Sequence, residues 1–140
     1  MKILLAVDGS DYTKRMLSYL ASHRDLWGAS HSYSVFYAVL PVPHRAAAFA
    51  GPDIVRGFYE DDARVVLEPI RDLLAKEGVE ASFAHKVGHP AEEIAAHAEG
   101  GKFDLLIMGS HGHGALANLI LGSVATNVLA RSKVPVLLIR

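Results

Sequence analysis

Five short apolar segments alternate along the chain with stretches whose apolar residues recur at helical spacing, and this alternation limits the possible folds more than any other feature. The apolar segments are residues 3–7, 33–39, 79–87, 103–108 and 134–139. Short runs of aliphatic and β-branched side chains are typical of strands buried on both faces, as in parallel sheets. Helical stretches between such strands predict crossovers that place helices on both faces. The 140 residues show no clear linker, so they predict one α/β domain over residues 1–140 with an open, parallel, five-stranded sheet.

Turn and capping residues indicate where several helices begin and end. Ser10 is predicted to cap the helix after the first strand, and Pro90 to occupy the first position of a later helix. Pro69 is expected to interrupt or kink the long helix that Gly78 is expected to end. Residues 41–57, rich in proline, alanine and glycine, show no clear period and predict a functional loop or a disordered segment.

The composition excludes several kinds of site and partner. The chain has no cysteine, which excludes disulfides, thiolate zinc sites, iron–sulfur clusters and cysteine nucleophiles. Its formal net charge of −1 gives no broad attraction to nucleic acid or to a membrane, so neither is expected as a partner. No segment approaches the roughly 20 apolar residues of a membrane helix, and the first apolar run is too short for a signal peptide. We therefore expect a cytoplasmic protein.

The stretch best suited to binding follows the fourth apolar segment. It reads Gly-Ser-His-Gly-His-Gly over residues 109–114, and Gly122 and Ser123 then open the last helical stretch. Glycine reaches positive φ angles at little cost and lets a ligand approach the main chain, and the free N–H groups of a helix N-terminus suit phosphate. The same residues also fit a simpler interpretation, in which the glycines only reverse the chain and Ser123 only caps the helix. The residue types alone leave both interpretations open.

Other site chemistries have weaker support. No phosphate-loop motif with its lysine occurs, and no Gly-x-Gly-x-x-Gly follows the first strand. A Ser-His-Asp triad lacks the Gly-x-Ser-x-Gly elbow. The pairs His111/His113 and His85/His89 have plausible metal-ligand spacing, but they lie in expected loops without matching carboxylates or cysteines. No metal site built from protein side chains is therefore predicted.

The glycines do fit one known signature. Gly109, Gly112, nine intervening residues and then Gly122 and Ser123 match the pattern G-x2-G-x9-G-[ST]. The chain thereby resembles the ATP-binding universal stress proteins. The likeness covers the whole chain, because further segments are similar to the family's opening, middle, fourth strand and end, in that order. These segments are residues 7–10, 88–90, 104–112, 122–124 and 134–137.

The resemblance implies a strand order and a set of roles. It implies the Rossmann-like order 3-2-1-4-5, which places Asp8 beside Gly109. Asp8 would lie at the adenosine, and Val39 would meet the adenine through its backbone. Met108 and Gly109 would line the ribose. Phosphates would be held by Gly112, Gly122, Ser123 and Val124. The full set of nucleotide-binding residues that it implies is Val7, Asp8, Val39, Met108, Gly109, His111, Gly112, His113, Gly122, Ser123 and Val124.

His111 and His113 depart from many relatives, which often carry an arginine in this loop. Neutral histidine offers less to a triphosphate, and residues 109–124 contain no lysine or arginine. We therefore expect Mg²⁺ to accompany the bound ATP, AMP or ADP and to offset the phosphate charge.

The resemblance implies a nucleotide-dependent stress-response or regulatory protein with unknown protein partners. No carboxylate in the binding stretch is placed as a general base, so slow ATP hydrolysis at most is expected and no catalytic residue is assigned. Two alternatives remain open: a true ATPase or phosphotransferase using Asp8 or a histidine, and a nucleotide-free dimeric scaffold. In the implied strand order, residues 134–139, from Val134 to Ile139, form an apolar edge with little protection, which predicts a homodimer paired through that strand.

Overall fold

Strands and helices alternate along the whole chain in a computed structural model that describes residues 1–28, 30–114 and 118–140. In chain order the elements are β1 (Lys2–Val7), α1 (Asp11–Ser22), α2 (Arg24–Trp27), β2 (Ser32–Val39), α3 (His44–Ala50), α4 (Pro52–Lys76), β3 (Ala81–Val87), α5 (Pro90–Gly100), β4 (Leu105–Gly109), α6 (Ser123–Arg131) and β5 (Val136–Ile139). The strands form one sheet in the order β3-β2-β1-β4-β5, and every pair of neighbouring strands is parallel. The predicted α/β fold and its strand order 3-2-1-4-5 are confirmed.

The strand order reverses direction at β1. The chain adds β2 and β3 on one side of β1 and then crosses to place β4 and β5 on the other side. Ile3 accordingly pairs with Tyr33 of β2 and with Leu105 of β4. Open α/β sheets bind ligands in the crevice beyond the carboxyl ends of the strands at such a reversal. The loops that follow β1 and β4 therefore define the place to look for a site.

Helices cover both faces of the sheet because side chains along a strand point alternately to opposite sides. Ile3, Leu5 and Val7 pack in the layer formed with α1 and α4. Leu4 and Ala6 pack in the layer formed with α5 and α6. All five side chains are buried. A strand that is apolar on both faces is stable only between two helical layers, which explains the central position of β1.

Two residues that the sequence predicts to end or begin a helix do so in the structure. Gly78 follows α4 with a φ of +71°. Its N–H donates to the carbonyl of Ala75, and the N–H of Val79 donates to that of Leu74. This is the Schellman arrangement, so the prediction for Gly78 is confirmed. Pro90 is likewise the first residue of α5, and each strand begins and ends within two residues of its expected bounds.

The expectation of a loop or a disordered segment over residues 41–57 is wrong. The segment contains α3, and α4 begins within it at Pro52. Gly51, with a φ of +92°, separates the two helices, and a proline at the first helical position suits the start of the second. α3 buries none of its residues, so it needs no apolar period that the sequence could reveal.

One further local prediction is wrong, and another is confirmed only in part. Pro69 does not interrupt α4, which continues to Lys76. Val65, one turn earlier, is exposed, so water can reach the carbonyl that Pro69 leaves without an N–H partner. Ser10 occupies the N-cap position of α1, but its side chain makes no capping hydrogen bond. Its backbone N–H donates instead to the carboxylate of Asp8, at 2.9 Å.

Membrane insertion has no candidate helix within residues 1–28, 30–114 and 118–140, because none of the helices there is both long enough and apolar enough to cross a bilayer.

Candidate functional site

A cleft of about 450 Å³ opens beyond the carboxyl ends of β1 and β4, where the strand order reverses. Its walls come from the ends of β1, β2 and β4, the start of α5, the glycine-rich loop and the start of α6. The lining residues are Ala6, Val7, Asp8, Thr13, Tyr37, Ala38, Leu40, Pro90, Ile94, Met108, Gly109, His111, Gly112, His113, Gly114, Leu119, Gly122, Ser123, Val124 and Ala125. The cleft thus joins segments that are more than 100 residues apart in the sequence.

The structure brings most of the predicted nucleotide-binding residues to this cleft. Those that line it are Val7, Asp8, Met108, Gly109, His111, Gly112, His113, Gly122, Ser123 and Val124. Val39 does not line it, because its side chain is fully buried and its carbonyl accepts the N–H of Gly88 at 2.9 Å. Tyr37, Ala38 and Leu40 provide the cleft surface at this end of β2 instead.

Several lining residues were missed from the sequence. The main ones are Thr13, Tyr37, Ala38, Leu40, Pro90, Ile94 and Leu119. Parallel strands end at the same edge of the sheet, so the end of β2 and the start of α5 could have been inferred from the strand order alone. Leu119 carries no such signal, because it reaches the cleft only through the path of the loop between β4 and α6.

Asp8 is fixed by the start of α1. One oxygen of its carboxylate, Oδ1, accepts the backbone N–H of Ser10 and the hydroxyl of Thr13, both at 2.9 Å. The backbone N–H of Asp8 donates back to the Thr13 hydroxyl oxygen at 3.0 Å. The other carboxylate oxygen, Oδ2, faces Gly112 so closely that a Cβ there would lie 2.6 Å from it. The carboxylate is therefore preorganised at the cleft wall rather than free to turn.

The signature glycines allow two chain segments to meet beside the cleft. A Cβ at Gly109 would lie 2.7 Å from the Cβ of Tyr12. A Cβ at Gly122 would lie 3.0 Å from the Cα of His111 and 3.3 Å from the carbonyl oxygen of Ser110. The N–H of Gly122 donates to that same carbonyl at 2.8 Å. A larger residue at Gly109 would force the loop away from α1, and one at Gly122 would force it away from the start of α6.

The N-terminus of α6 opens onto the cleft. Gly122 is its N-cap residue, in an extended conformation, and Ser123 is its first helical residue. The interpretation of Ser123 as the cap is therefore wrong. The first N–H groups of a helix have no partner within it and carry a partial positive charge. Gly122, Ser123, Val124 and Ala125 all line the cleft, so these donors are available to an anion there.

The two loop histidines make different contacts. His111 Nδ1 lies 2.8 Å from the Ser110 hydroxyl, and Nε2 lies 2.9 Å from the carbonyl oxygen of Leu119. Its ring also packs on that of Tyr12, with 5.0 Å between the centroids. His113 uses Nε2 to donate to the carbonyl of Asp8 at 2.8 Å. His111 therefore closes the glycine-rich loop on itself, and the second histidine ties that loop to the loop after β1.

The charge of the cleft is low. Asp8 is the acidic group that lines it, and its ionisable neighbours in the lining are Tyr37 and the two loop histidines. Burial, together with a hydrogen bond of 2.9 Å from its hydroxyl to Asp62, raises the pKa of Tyr37 far above its usual range, so this residue stays neutral. Arg56 of α4 is not in the lining and pairs with Asp53 at 3.5 Å. Among the residues that the structure describes, no three metal-ligating side chains come together.

The fold and the cleft define a class: a Rossmann-like α/β protein with a ligand cleft at the switch point of a parallel sheet, beside a glycine-rich loop and a helix N-terminus. Within this class the chain belongs to the universal stress protein family, whose model matches residues 1–140. The family suggested by the glycine signature is thus confirmed.

Individual relatives support this assignment over the full length. The chain is 36% identical to a universal stress protein of Thermus aquaticus encoded in the QAH/OAS sulfhydrylase 3′ region, over 99% of this chain and 97% of the relative. The solved structure of MJ0577, a universal stress protein of Methanocaldococcus jannaschii, has a TM-score of 0.83 and 28% identity and covers 99% of this chain and 94% of that one. The universal stress protein of Archaeoglobus fulgidus, solved in complex with dAMP, has a TM-score of 0.70 and 24% identity, over 100% and 98% of the two chains.

Proposed function

We propose that this chain binds an adenine nucleotide, ATP or its products ADP and AMP, in the cleft between β1 and β4. The observation that carries the proposal is the meeting of the glycine-rich loop with the open N-terminus of α6, at the switch point of the sheet. That arrangement supplies backbone donors for phosphate and an adjoining apolar wall for a base. The dAMP complex of the Archaeoglobus fulgidus protein adds support, because that protein has the same fold.

The lining suggests how the nucleotide would lie. The phosphates would be held by the backbone of Gly112, Gly122, Ser123 and Val124. The ribose would lie against Met108 and Gly109, and Asp8 would accept hydrogen bonds from the adenosine. The adenine contact first expected of Val39 would pass to its neighbours Ala38 and Leu40, which line the cleft, since the Val39 carbonyl is already bound to Gly88.

The site would work with Mg²⁺ and would turn over slowly at most. Among the described residues, no lysine or arginine lines the cleft, so a nucleotide-bound cation would offset the phosphate charge. Asp8 is the carboxylate that lines the cleft, and two donors from the start of α1 already hold its Oδ1. A carboxylate held in this way is a ligand for the adenosine rather than a base that activates water. The chain would then act as a nucleotide-dependent regulatory protein in the stress response.

The first test identifies the ligand without any assumption about catalysis. Purified protein is denatured with acid, and the released small molecules are identified by mass spectrometry. Recovery of ATP, ADP or AMP in a fixed ratio to protein supports the proposal. Steady ATP turnover well above that of a denatured sample, lost in Asp8→Asn, would instead favour a true ATPase.

We also propose that two copies pair through β5. This strand is an edge of the sheet, and its residues Val136, Leu137 and Leu138 are only half-buried. An apolar edge with free backbone groups favours pairing with a second copy across a two-fold axis.

A further inference from the structure

The phosphate end of the cleft contains few groups that could carry positive charge. No lysine or arginine lines it, and the three residues of the loop that lie outside the described ranges are Ala115, Leu116 and Ala117. Asp8 contributes a negative charge to the same wall. A phosphate entering the cleft can therefore obtain a protein cation in this loop only from an imidazole.

His111 and His113 differ in how many of their ring nitrogens take part in hydrogen bonds. Both ring nitrogens of His111 are hydrogen-bonded, one to the Ser110 hydroxyl and the other to the Leu119 carbonyl. Its ring therefore cannot turn to a ligand without losing these two hydrogen bonds. His113 is held at one ring nitrogen, because only Nε2 is bonded, to the carbonyl of Asp8. Among the described residues, Nδ1 of His113 has no hydrogen-bond partner, and the side chain is exposed at the rim of the cleft.

We propose that His113 is a specificity-determining residue of the phosphate subsite, which binds the nucleotide phosphate as an imidazolium and takes up one proton from solvent when the phosphate binds. The inference rests on the proposed function. A carbonyl oxygen only accepts, so Nε2 of His113 carries a hydrogen in either state and its bond to Asp8 is kept. Protonation at Nδ1 turns a lone pair, which repels a phosphate oxygen, into a charged donor that binds one.

The charged and titratable groups around the cleft wall that carries His113 come from several elements. Asp8, on the loop after β1, accepts the His113 hydrogen bond through its carbonyl and places its carboxylate on the same wall. From α1, Tyr12 packs on His111, and the guanidinium of Arg15 lies over the ring of Tyr12 at 4.7 Å. The first turn of α6 has no acidic residue to compete for the proton.

The remaining neighbours are neutral or already paired. Tyr37 of β2 stays neutral, because burial and then its hydrogen bond to Asp62 raise the pKa of its hydroxyl. In the first turn of α5, Glu93 is paired with Lys86 at 3.0 Å, and Glu92 with Arg131 of α6 at 3.4 Å. The proton exchanged on phosphate binding is thus assigned to the histidine rather than to a carboxylate.

The test compares the wild type with His113→Gln, because glutamine can still donate to Asp8 but cannot be protonated. ADP is titrated into each by calorimetry at pH 8.0 and pH 6.0 with fixed Mg²⁺. The titration of ADP itself is the same for both proteins, so it cancels in the comparison. Between the two pH values, the affinity of the wild type should rise about fivefold more than that of the variant, because only the wild type can take up a proton at this position when the phosphate binds.

Three further titrations serve as controls for this test: adenosine as the ligand, and the variants His85→Gln and His111→Gln. Adenosine, which lacks phosphate, should show the same pH dependence in both proteins, and His85→Gln, an exposed histidine on β3, should behave as the wild type. Parallel pH responses of the wild type and His113→Gln towards ADP would overturn the inference and leave nucleotide binding intact. Loss of the response in His111→Gln alone would also overturn it. Absence of binding by both ADP and adenosine at both pH values would overturn the proposed function as well.

Discussion

At the scale of single residues, the binding loop needs glycine mainly because two chain segments approach each other closely. Of the glycines between residues 109 and 122, only Gly114 has a positive φ, +72°. Gly109 and Gly122 instead lie where a Cβ would meet Tyr12 or His111 at 3.0 Å or less. The signature therefore specifies how closely the loop approaches α1 and α6, and a side chain at these positions should weaken nucleotide binding more than it weakens folding.

Gly122→Val is expected to lower nucleotide affinity by more than about tenfold, because the new side chain would push the loop away from the phosphate-facing N–H groups. The matched control is Gly100→Val, at an exposed position where a Cβ would meet nothing within 4 Å. Calorimetric titration and thermal unfolding of both variants check the prediction. Wild-type affinity in a folded Gly122→Val protein would remove the phosphate assignment.

His97 should make stability depend on pH. Its ring stacks on Phe36 and Phe103 at centroid distances of 4.2 and 5.8 Å. Burial, and then the charge of Lys2, lower the pKa of His97 below its usual value of 6.5. The unfolded chain therefore takes up a proton before the folded one, so this contribution to stability is complete above about pH 6.5 and is lost as the pH falls below it.

The comparison for this effect is His97→Phe, which keeps an aromatic ring but cannot be protonated. Urea unfolding at pH 7.5 and pH 5.5 should show a larger loss of unfolding free energy in the wild type than in the variant. An equal loss in both would mean that His97 does not contribute, since the carboxylates that titrate in this range are common to both proteins.

The sequence could assign those site residues that belong to a motif of fixed spacing, but not those whose role depends on contacts made in the folded chain. Residues of the glycine signature could be placed because their spacing is fixed. Val39 and Tyr37 could not, because the sequence does not show which backbone groups at the end of β2 are used by the fold. The carbonyl of Val39 is taken by Gly88, a contact between β2 and the turn after β3 that only the folded chain defines.

At the scale of elements, replacing a glycine by alanine should have opposite effects on stability at two positions, one within α4 and one just after it. Gly78 has a φ of +71°, whereas Gly57 lies in the helix interior with open space around its Cβ position. Gly78→Ala should lower the free energy of unfolding by about 1 kcal/mol, because alanine is strained at positive φ. Gly57→Ala should raise it by about 0.5–1 kcal/mol through helix propensity. Chemical denaturation of the pair measures both, and the same sign for both changes would contradict the assignment of the end of α4.

Elements with a buried face could be predicted, and those without one could not. The strands and α1, α4, α5 and α6 each place side chains in a core layer, which imposes a period on the sequence. α3 buries nothing, so its alanines and its single phenylalanine follow no period. The continuation of α4 through Pro69 was missed for a related reason. The cost of a proline depends on whether water reaches the freed carbonyl, which is a property of the surface and not of the local sequence.

At the scale of the whole molecule, the position of the cleft followed from topology. Five alternating strands predict a parallel sheet, but residue patterns alone do not order the strands, and the order came from the family resemblance. Once β1 lies between β2 and β4, Asp8 and the glycine-rich loop must meet, although they are about 100 residues apart. The assembly of the protein is the corresponding prediction at this scale.

Leu138→Pro is expected to convert a homodimer into a monomer. The carbonyls of Pro135 and Ile139 accept bonds from Leu106 and Ser110, on and just after β4, so the N–H of Leu138, in the alternating pattern of a strand, points away from the sheet. Proline removes this outward donor without removing a bond to β4. Light scattering at micromolar concentration measures the mass, and circular dichroism checks the fold. A monomeric wild type would contradict pairing through β5.

The central claim is that the cleft between β1 and β4 binds an adenine nucleotide, and calorimetric titration of the nucleotide-free wild type with ATP and with AMP, each with Mg²⁺, tests it most directly. We expect a Kd well below about 1 mM for at least one of the two, equivalent to more than about 4 kcal/mol of binding free energy. Binding of neither nucleotide below millimolar concentration would contradict the proposed function.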